Sequence, residues 1–310
     1  MATATQSAIP RKKITATERR ERIAGWLFIS PVVLGLLIWT LIPVVASFVL
    51  SFMDYRIGRP LQWAGTRNYQ RMFTLDPDFY QSLKVTFSFV VMQLPVGLSV
   101  ALGCALLLNS KVKFMTLFRT FFYLPAIVPV VATSMVWIWL LNYAYGLINQ
   151  FLRAIGLEAV NFFINPDTAL PTLAVMSWFG VGPTMIIYLA GLLNIPPSLY
   201  EAAEIDGAGR IRKFISITLP MLSPTIFYTV VMGLIGSFQY FTQAYIITGG
   251  GPLKSTYFYN LMIFTVAFQY MRMGYAAALA WFLLLIILVL TLLVFRSSSM
   301  WVYYESEMRD

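Results

Sequence analysis

The chain has 310 residues, of which 59% are hydrophobic and 11% charged, and its formal net charge is +9. A soluble domain carries about 25% charge, so this composition excludes a soluble enzyme, a disordered chain and a nucleic-acid-binding module. With no histidine and one cysteine, Cys104, the chain also has no basis for zinc sites, Ser-His-Asp or Cys-His catalysis, internal disulfides or histidine proton relays. What remains is an integral membrane protein.

A spanning helix needs about 20 mostly apolar residues. Six stretches qualify, at 24–53, 84–108, 119–141, 169–193, 220–247 and 273–295, and none has a charge in its middle. They define a six-helix domain over 24–296, with tails at 1–23 and 297–310. The first tail carries Arg11, Lys12, Lys13, Arg19, Arg20 and Arg22. That start is signal-peptide-like, but the apolar stretch is too long for an h-region, so the helix is expected to be retained. Six spans put both termini on one side. Of the 22 Lys and Arg, 14 then share that side and 8 lie opposite. The positive-inside rule makes the termini cytoplasmic, although the outer loop 54–83 is itself moderately basic.

Pro43, Pro95, Pro125, Pro129, Pro183 and Pro224 lie in the spans. Each removes a backbone donor and kinks its helix, and ordinary packing kinks account for most of them. Gly180-Val181-Gly182-Pro183 differs because it sits mid-span, where a broken helix could line a pathway. The spans hold no carboxylate or histidine that could carry a proton. Gly249-Gly250-Gly251-Pro252-Leu253-Lys254-Ser255 lacks the glycine before the lysine that a phosphate loop requires, and it falls on the outer side. Sodium coupling through backbone carbonyls stays open but has no signal in the sequence; otherwise uphill transport would draw its energy from a partner, and a partner needs a docking surface.

The inside loop 109–118 is short, whereas 194–219 is long. Pro196 and Pro197 stop the incoming helix, and Ser198 with Glu201 reads as a capping box. A short helix from Leu199 to about Asp206 is expected next, then a turn at Gly207 and Gly209, then a basic helix leading into span five. Leu199, Ala202, Ala203 and Ile205 are available to pack. Glu201, Glu204 and Asp206 are available to water or a partner.

Glu201-Ala202-Ala203, then Gly207, Ile217 and Leu219-Pro220, resemble the EAA loop of type I ABC importer permeases (MetI-like, binding-protein-dependent transport inner-membrane components). The longer form through Asp206-Gly207-Ala208, with Phe214 and Pro224, resembles the carbohydrate branch, the maltose- and glycerol-3-phosphate-type permeases. Arg119 to Pro125, Trp137 with Trp139, Gly146 to Leu152, Asn68-Tyr69, Thr248 to Pro252 and Gly274 to Ala278 are similar to further segments of that family. The resemblance implies six transmembrane helices in a bacterial or archaeal plasma membrane. It implies a second homologous permease subunit, two cytoplasmic ABC ATPase subunits that bind ATP and Mg, an extracytoplasmic solute-binding protein and a sugar substrate. The chain itself would be non-catalytic and hold no cofactor or metal. It further implies that Glu201, Ala202, Ala203, Asp206, Gly207 and Ala208 couple to the ATPase. The carboxylate of Glu201 has two readings, a capping group or a group offered to the partner. Ala202 and Ala203 are either simple helix formers or tight packers in the ATPase cleft.

By alignment on the Thr-x-Gly-Gly-Pro turn, Ser237, Gln239 and Tyr240 fall where the maltose-type subunit contacts substrate, and Gly180 and Gly233 fall near similar positions. Asparagines stand there in that subunit. The alternative for the same residues is interhelical hydrogen bonding or an interfacial belt. A self-powered secondary carrier, a membrane enzyme or a scaffold are the competing functions. The first wants intramembrane ionisable groups and the second a catalytic cluster with a metal-ligand pattern; the sequence offers neither.

Overall fold

The computed structural model describes residues 16–110 and 113–303. Of the residues used for orientation, Arg11, Lys12, Lys13, Lys111 and Arg309 lie outside the described residues. The chain divides into two compact units, one through Leu50 and one from Ser51 onward.

The first unit is helical. α1 (Ala16–Leu36), a π-helical turn (Leu37–Leu41) and α2 (Ile42–Ser51) form one long apolar run. It begins at Ala16 rather than at 24, because the intervening Glu and Arg residues are good helix formers and need no lipid to be helical. Pro43 cannot donate to the preceding turn. The wider turn just before it, closed by Ile42 N–H on the Leu37 carbonyl, absorbs that loss.

The second unit opens with a short antiparallel hairpin, β1 (Met53–Asp54) and β2 (Gln62–Trp63), in which Met53 faces Trp63. After α3 (Arg67–Thr74) comes α4 (Pro77–Leu108). Its 32 residues extend about 48 Å, more than a bilayer core requires. α4 starts at Pro77, ahead of the expected 84. Asp76 caps it by accepting from the Asp78 N–H at 3.1 Å, and Pro77 fills the first helical position, where a missing donor costs nothing.

The expected third span is two helices, α5 (Met115–Ile127) and α6 (Val130–Leu140), bent by 97°. Pro129 lacks the N–H that would bond the Pro125 carbonyl four residues back, so two prolines at that spacing break the rod rather than kink it. After α7 (Leu147–Ala154), the fourth span is α8 (Pro166–Trp178) and α9 (Gly182–Leu193), bent by 44° across the break expected at Gly180-Val181-Gly182-Pro183. The loop helices α10 (Pro197–Ile205) and α11 (Arg210–Lys213) follow. A π-helical turn (Phe214–Thr218) ahead of Pro220 then leads into α12 (Leu219–Phe238), as the similar turn does ahead of Pro43. α13 (Thr242–Ile247), α14 (Tyr259–Phe264), a third π-helical turn (Thr265–Gln269) and α15 (Met273–Ser298) complete the order.

Among the described residues, four helical runs are long and apolar enough to cross a membrane, and the two bent pairs bring the number to six if each crosses once. The α4 helix is the pillar of the second unit, with α8, α9, α12 and α14 packed against it. One core lies around Phe79, Phe89, Phe258, Tyr259 and Leu279. A second lies around Ala101, Met185, Tyr188 and Leu222. The segment 253–272, expected as an outer loop, belongs to the first core. Phe258, Tyr259 and Met262 are buried, and Tyr259 donates its hydroxyl to the Leu279 carbonyl at 3.0 Å.

Candidate functional site

The loop 194–219 folds as two arms of a hairpin. Its first arm, α10, starts at Pro197 with Pro196 in the cap position and no capping side chain. The expected capping box is therefore absent. Pro197, pre-set for the first helical position, draws Ser198 inside the helix, where it cannot cap. Glu201 is relieved of that task. It is exposed and accepts no side-chain hydrogen bond among the described residues.

The end of α10 is a Schellman motif. Ala208 N–H reaches the Ala203 carbonyl at 2.8 Å, and Gly207 N–H reaches the Glu204 carbonyl at 3.0 Å. Gly207 stands at φ +74°, a left-handed conformation that a Cβ makes costly. The two arms are joined by the Lys213 ammonium, which donates to Glu204 Oε1 at 2.6 Å. That hydrogen bond, with the charge behind it, holds the Glu204 carboxyl below the usual glutamate range. Between the arms lies a cleft of about 170 Å³ lined by Ala203, Asp206, Ala208, Arg212, Lys213 and Ile217. The small side chains of Ala203 and Ala208 keep it open.

The hairpin is anchored to the bundle at its base. The Tyr200 and Thr218 hydroxyls are 2.9 Å apart, and Tyr200 and Ile217 pack against the second core. Further up, the buried Tyr188 hydroxyl on α9 lies 2.7 Å from Thr229 Oγ1 on α12. α10 is thus tied to the turn that leads into α12, and α9 is tied to α12. The hairpin's apolar tips stay uncovered, with Ile205 89% and Ile211 77% exposed. Ile205, expected to be available for packing, is left almost wholly uncovered by the described residues.

The second group of expected residues lies along α12. Ser237 is buried and donates to Gln93 Oε1 of α4 at 2.6 Å, and its hydroxyl is also 2.7 Å from the Gly233 carbonyl. Gly233 permits this approach: a Cβ there would stand 2.5 Å from Leu94 Cδ1. Gln239 is exposed where the helix breaks between α12 and α13, and its carbonyl accepts from Asn260 Nδ2 at 3.1 Å. The Tyr240 ring packs against Phe89 and Phe258, with centroids 4.3 and 4.9 Å away, and its buried hydroxyl has no hydrogen-bond partner among the described residues. Gly180 is exposed in the α8–α9 break. The structure thus joins Gly233, Ser237 and Gln93, and places Gln239 and Tyr240 at the adjacent break.

Gln93, Tyr188, Thr229, Tyr200, Thr218 and Lys213 were not singled out from the sequence. Gln93 could have been, as the lone amide in the apolar run around it. The hydroxyl pairs could not, because each partner lies on a different helix. Among the described residues no group of three or more acidic or cysteine side chains could hold a metal ion.

This geometry defines a membrane-embedded subunit with an exposed, braced hairpin at one end of its bundle. Residues 93–299 match the model of the family described as binding-protein-dependent transport system inner membrane component, and the chain belongs to that family. It is 44% identical over 293 residues to a probable ABC transporter permease protein, YesP, of Bacillus subtilis, covering 93% of this chain and 94% of that one. It is 35% identical over 291 residues to the lactose transport system permease protein LacF of Rhizobium radiobacter, covering 92% and 97%. The fold matches a chain of a bacterial alginate ABC transporter, solved in complex with an alginate pentasaccharide-bound periplasmic protein, with TM-score 0.82, 24% identity and coverage of 92% and 97%. The chain is an all-α, MetI-like inner-membrane permease subunit of an ABC importer.

Proposed function

We propose that this subunit serves an importer of a sugar or oligosaccharide. It would form half of the pathway beside a second permease subunit and receive solute from an extracytoplasmic binding protein. Two cytoplasmic ATPase subunits, which hold the ATP and Mg, would drive it. Support for the substrate class comes from relatives, which include lactose, arabinooligosaccharide and trehalose/maltose transport system permeases. The termini and the hairpin 194–219 face the cytoplasm in this reading, in keeping with the Lys and Arg bias.

The observation that carries the coupling reading is the hairpin's division of labour. Its base is tied across by Tyr200 and Thr218 and packed on the bundle by Tyr200 and Ile217, while Glu201 and Ile205 stand exposed at its surface. Such a hairpin is a lever with a hinge at Gly207. The ATPase would grip α10, and its closure would move α9 and α12 together, with α10 tied to the turn before α12 by Tyr200 and Thr218 and α9 tied to α12 by Tyr188 and Thr229. Glu201 offers its carboxylate to a basic group of the ATPase. Ala202 offers a small surface against it, and Ala203, Asp206 and Ala208 line the cleft between the arms. The pathway would pass Gly180, Gly233, Ser237, Gln239 and Tyr240, where the helices break and polar groups enter the bundle.

The test is ATP-driven uptake by the reconstituted complex carrying Glu201→Ala. Assembly is expected to persist and uptake to fall about tenfold, the worth of one charged hydrogen bond across an interface. Undiminished uptake would sink the coupling role.

A further inference from the structure

At the end of the bundle away from the hairpin 194–219, the β1–β2 hairpin lies against the start of α15. Gly274 makes that possible, since a Cβ there would fall within 2.0 Å of the Met53 carbonyl oxygen. Gly274 N–H bonds the Tyr55 carbonyl at 3.1 Å, and Ile57 N–H bonds the Met271 carbonyl at 3.3 Å. The contact gathers Arg56 from the hairpin, Arg67 and Arg71 from α3 and Arg272 from the α15 cap around one open pocket of about 360 Å³.

The carboxylates nearby do not balance these four cations. Asp54 pairs with Arg67 at 2.7 Å and Arg56 at 3.4 Å. Asp76 accepts from the Tyr275 hydroxyl at 2.8 Å and caps α4. Arg71 and Arg272 are left with no carboxylate partner among the described residues. Arg71 instead lies over the Tyr275 ring at 5.2 Å, and its buried Nε has no hydrogen-bond partner. Arg272 is held below the ordinary arginine value by burial, then by the positive charges of Arg71 and Arg56. Such a group of guanidinium donors suits a phosphate, whose oxygens they can engage in pairs.

The surroundings name the source of that phosphate. Arg272 directly precedes the 26-residue apolar helix α15, so the pocket sits where the bilayer core begins. The pocket is also lined by Leu75, which is 76% exposed, and the adjoining hairpin exposes Ile57, Leu61 and Trp63. Apolar and aromatic side chains at that depth belong to the membrane interface.

We propose that this pocket is a phosphate-oxyanion site occupied by the phosphodiester headgroup of a membrane phospholipid. Arg71 and Arg272 are its principal ligands. The bound lipid would neutralise their mutual repulsion and hold the β1–β2 hairpin, α3 and α15 together.

The test is lipid retention by the full-length chain, purified with its partner subunits in detergent, titrated with phosphatidylglycerol and read by native mass spectrometry. Arg71→Gln/Arg272→Gln is expected to need roughly 25-fold more lipid for equal occupancy, about fivefold per arginine. Asp54→Asn, which frees Arg56 and Arg67, is expected to tighten retention, and it keeps the test decisive if the double variant fails to fold. Arg59→Gln, outside the pocket, is expected to match the parent, and millimolar inorganic phosphate is expected to leave the lipid in place. Equal lipid retention in parent and double variant would overturn the proposal. So would full displacement by inorganic phosphate, which would make this a free-anion site. Loss of binding-protein association with lipid retention intact would overturn it too, assigning the arginines to a protein carboxylate.

Discussion

The hairpin 194–219 and the return segment 248–272 each join two successive spans, at opposite ends of the bundle, and the chain uses them in opposite ways. The return segment turns its side chains inward: Phe258, Tyr259 and Met262 fill the core between α4 and α15, and Tyr259 N–H is held by Thr86 Oγ1 at 2.9 Å. The hairpin turns most of its side chains outward, keeping Ile195, Tyr200, Ile217 and Thr218 for its own attachment. A connection that is buried stabilises its own chain, and one that is braced at the base and bare at the tip leaves a surface that its own chain does not use. The first is expected to respond to mutation through folding, the second through coupling.

Tyr259→Ala tests the first half and carries the largest expected effect. It removes a fully buried ring and its bond to Leu279, a loss of about 3–5 kcal/mol. The folded yield in detergent and the midpoint of thermal unfolding should both collapse. A normal midpoint would contradict the structural role of the return segment.

Gly207→Pro tests the second half. Proline cannot adopt φ +74° and removes the N–H that bonds Glu204, at a local cost of about 3 kcal/mol. The subunit should still assemble in the membrane, because the turn contributes nothing to either core, while ATP-driven uptake is lost. Failure to assemble would place the turn on the folding side of the comparison.

Much of this division was legible beforehand. Charge scarcity set the membrane class, and the Glu201 to Ala208 pattern marked the hairpin. Gly180 to Pro183 marked the break in the fourth span. The burial of 253–272 was not legible from span length, because its apolar run is short of the 20 residues a crossing needs and its helix is six residues long. The sharp bend at Pro129 exceeds what a single proline does to a membrane helix, and its signal in the sequence is the pairing with Pro125 four residues earlier. The capping box failed for a related reason: Pro197 competes with Ser198 for the helix start and wins it. The partner of Ser237, Gln93, is more than a hundred residues away in sequence, beyond any local pattern.

The smallest effect is expected at the bond between the hairpin arms. Glu204 has a lowered carboxyl value, so its contribution is present above the usual glutamate range and fades as pH falls through that lowered value. Both groups are near water, and the pair is worth little. Glu204→Gln should reduce uptake slightly at neutral pH and remove whatever part of the acid-side decline belongs to this bond. A large neutral-pH defect would move Glu204 from bracing to partner contact.

The most direct measurement is the reactivity of Ile205→Cys in a Cys104→Ser background toward a water-soluble maleimide, with and without the ATPase subunits. Ile205 is 89% exposed at the hairpin tip, so the permease alone should label rapidly and the assembled complex at least about tenfold more slowly, as a docked side chain becomes inaccessible. Equal labelling rates would show that α10 does not enter the ATPase, and would contradict the role assigned to the hairpin.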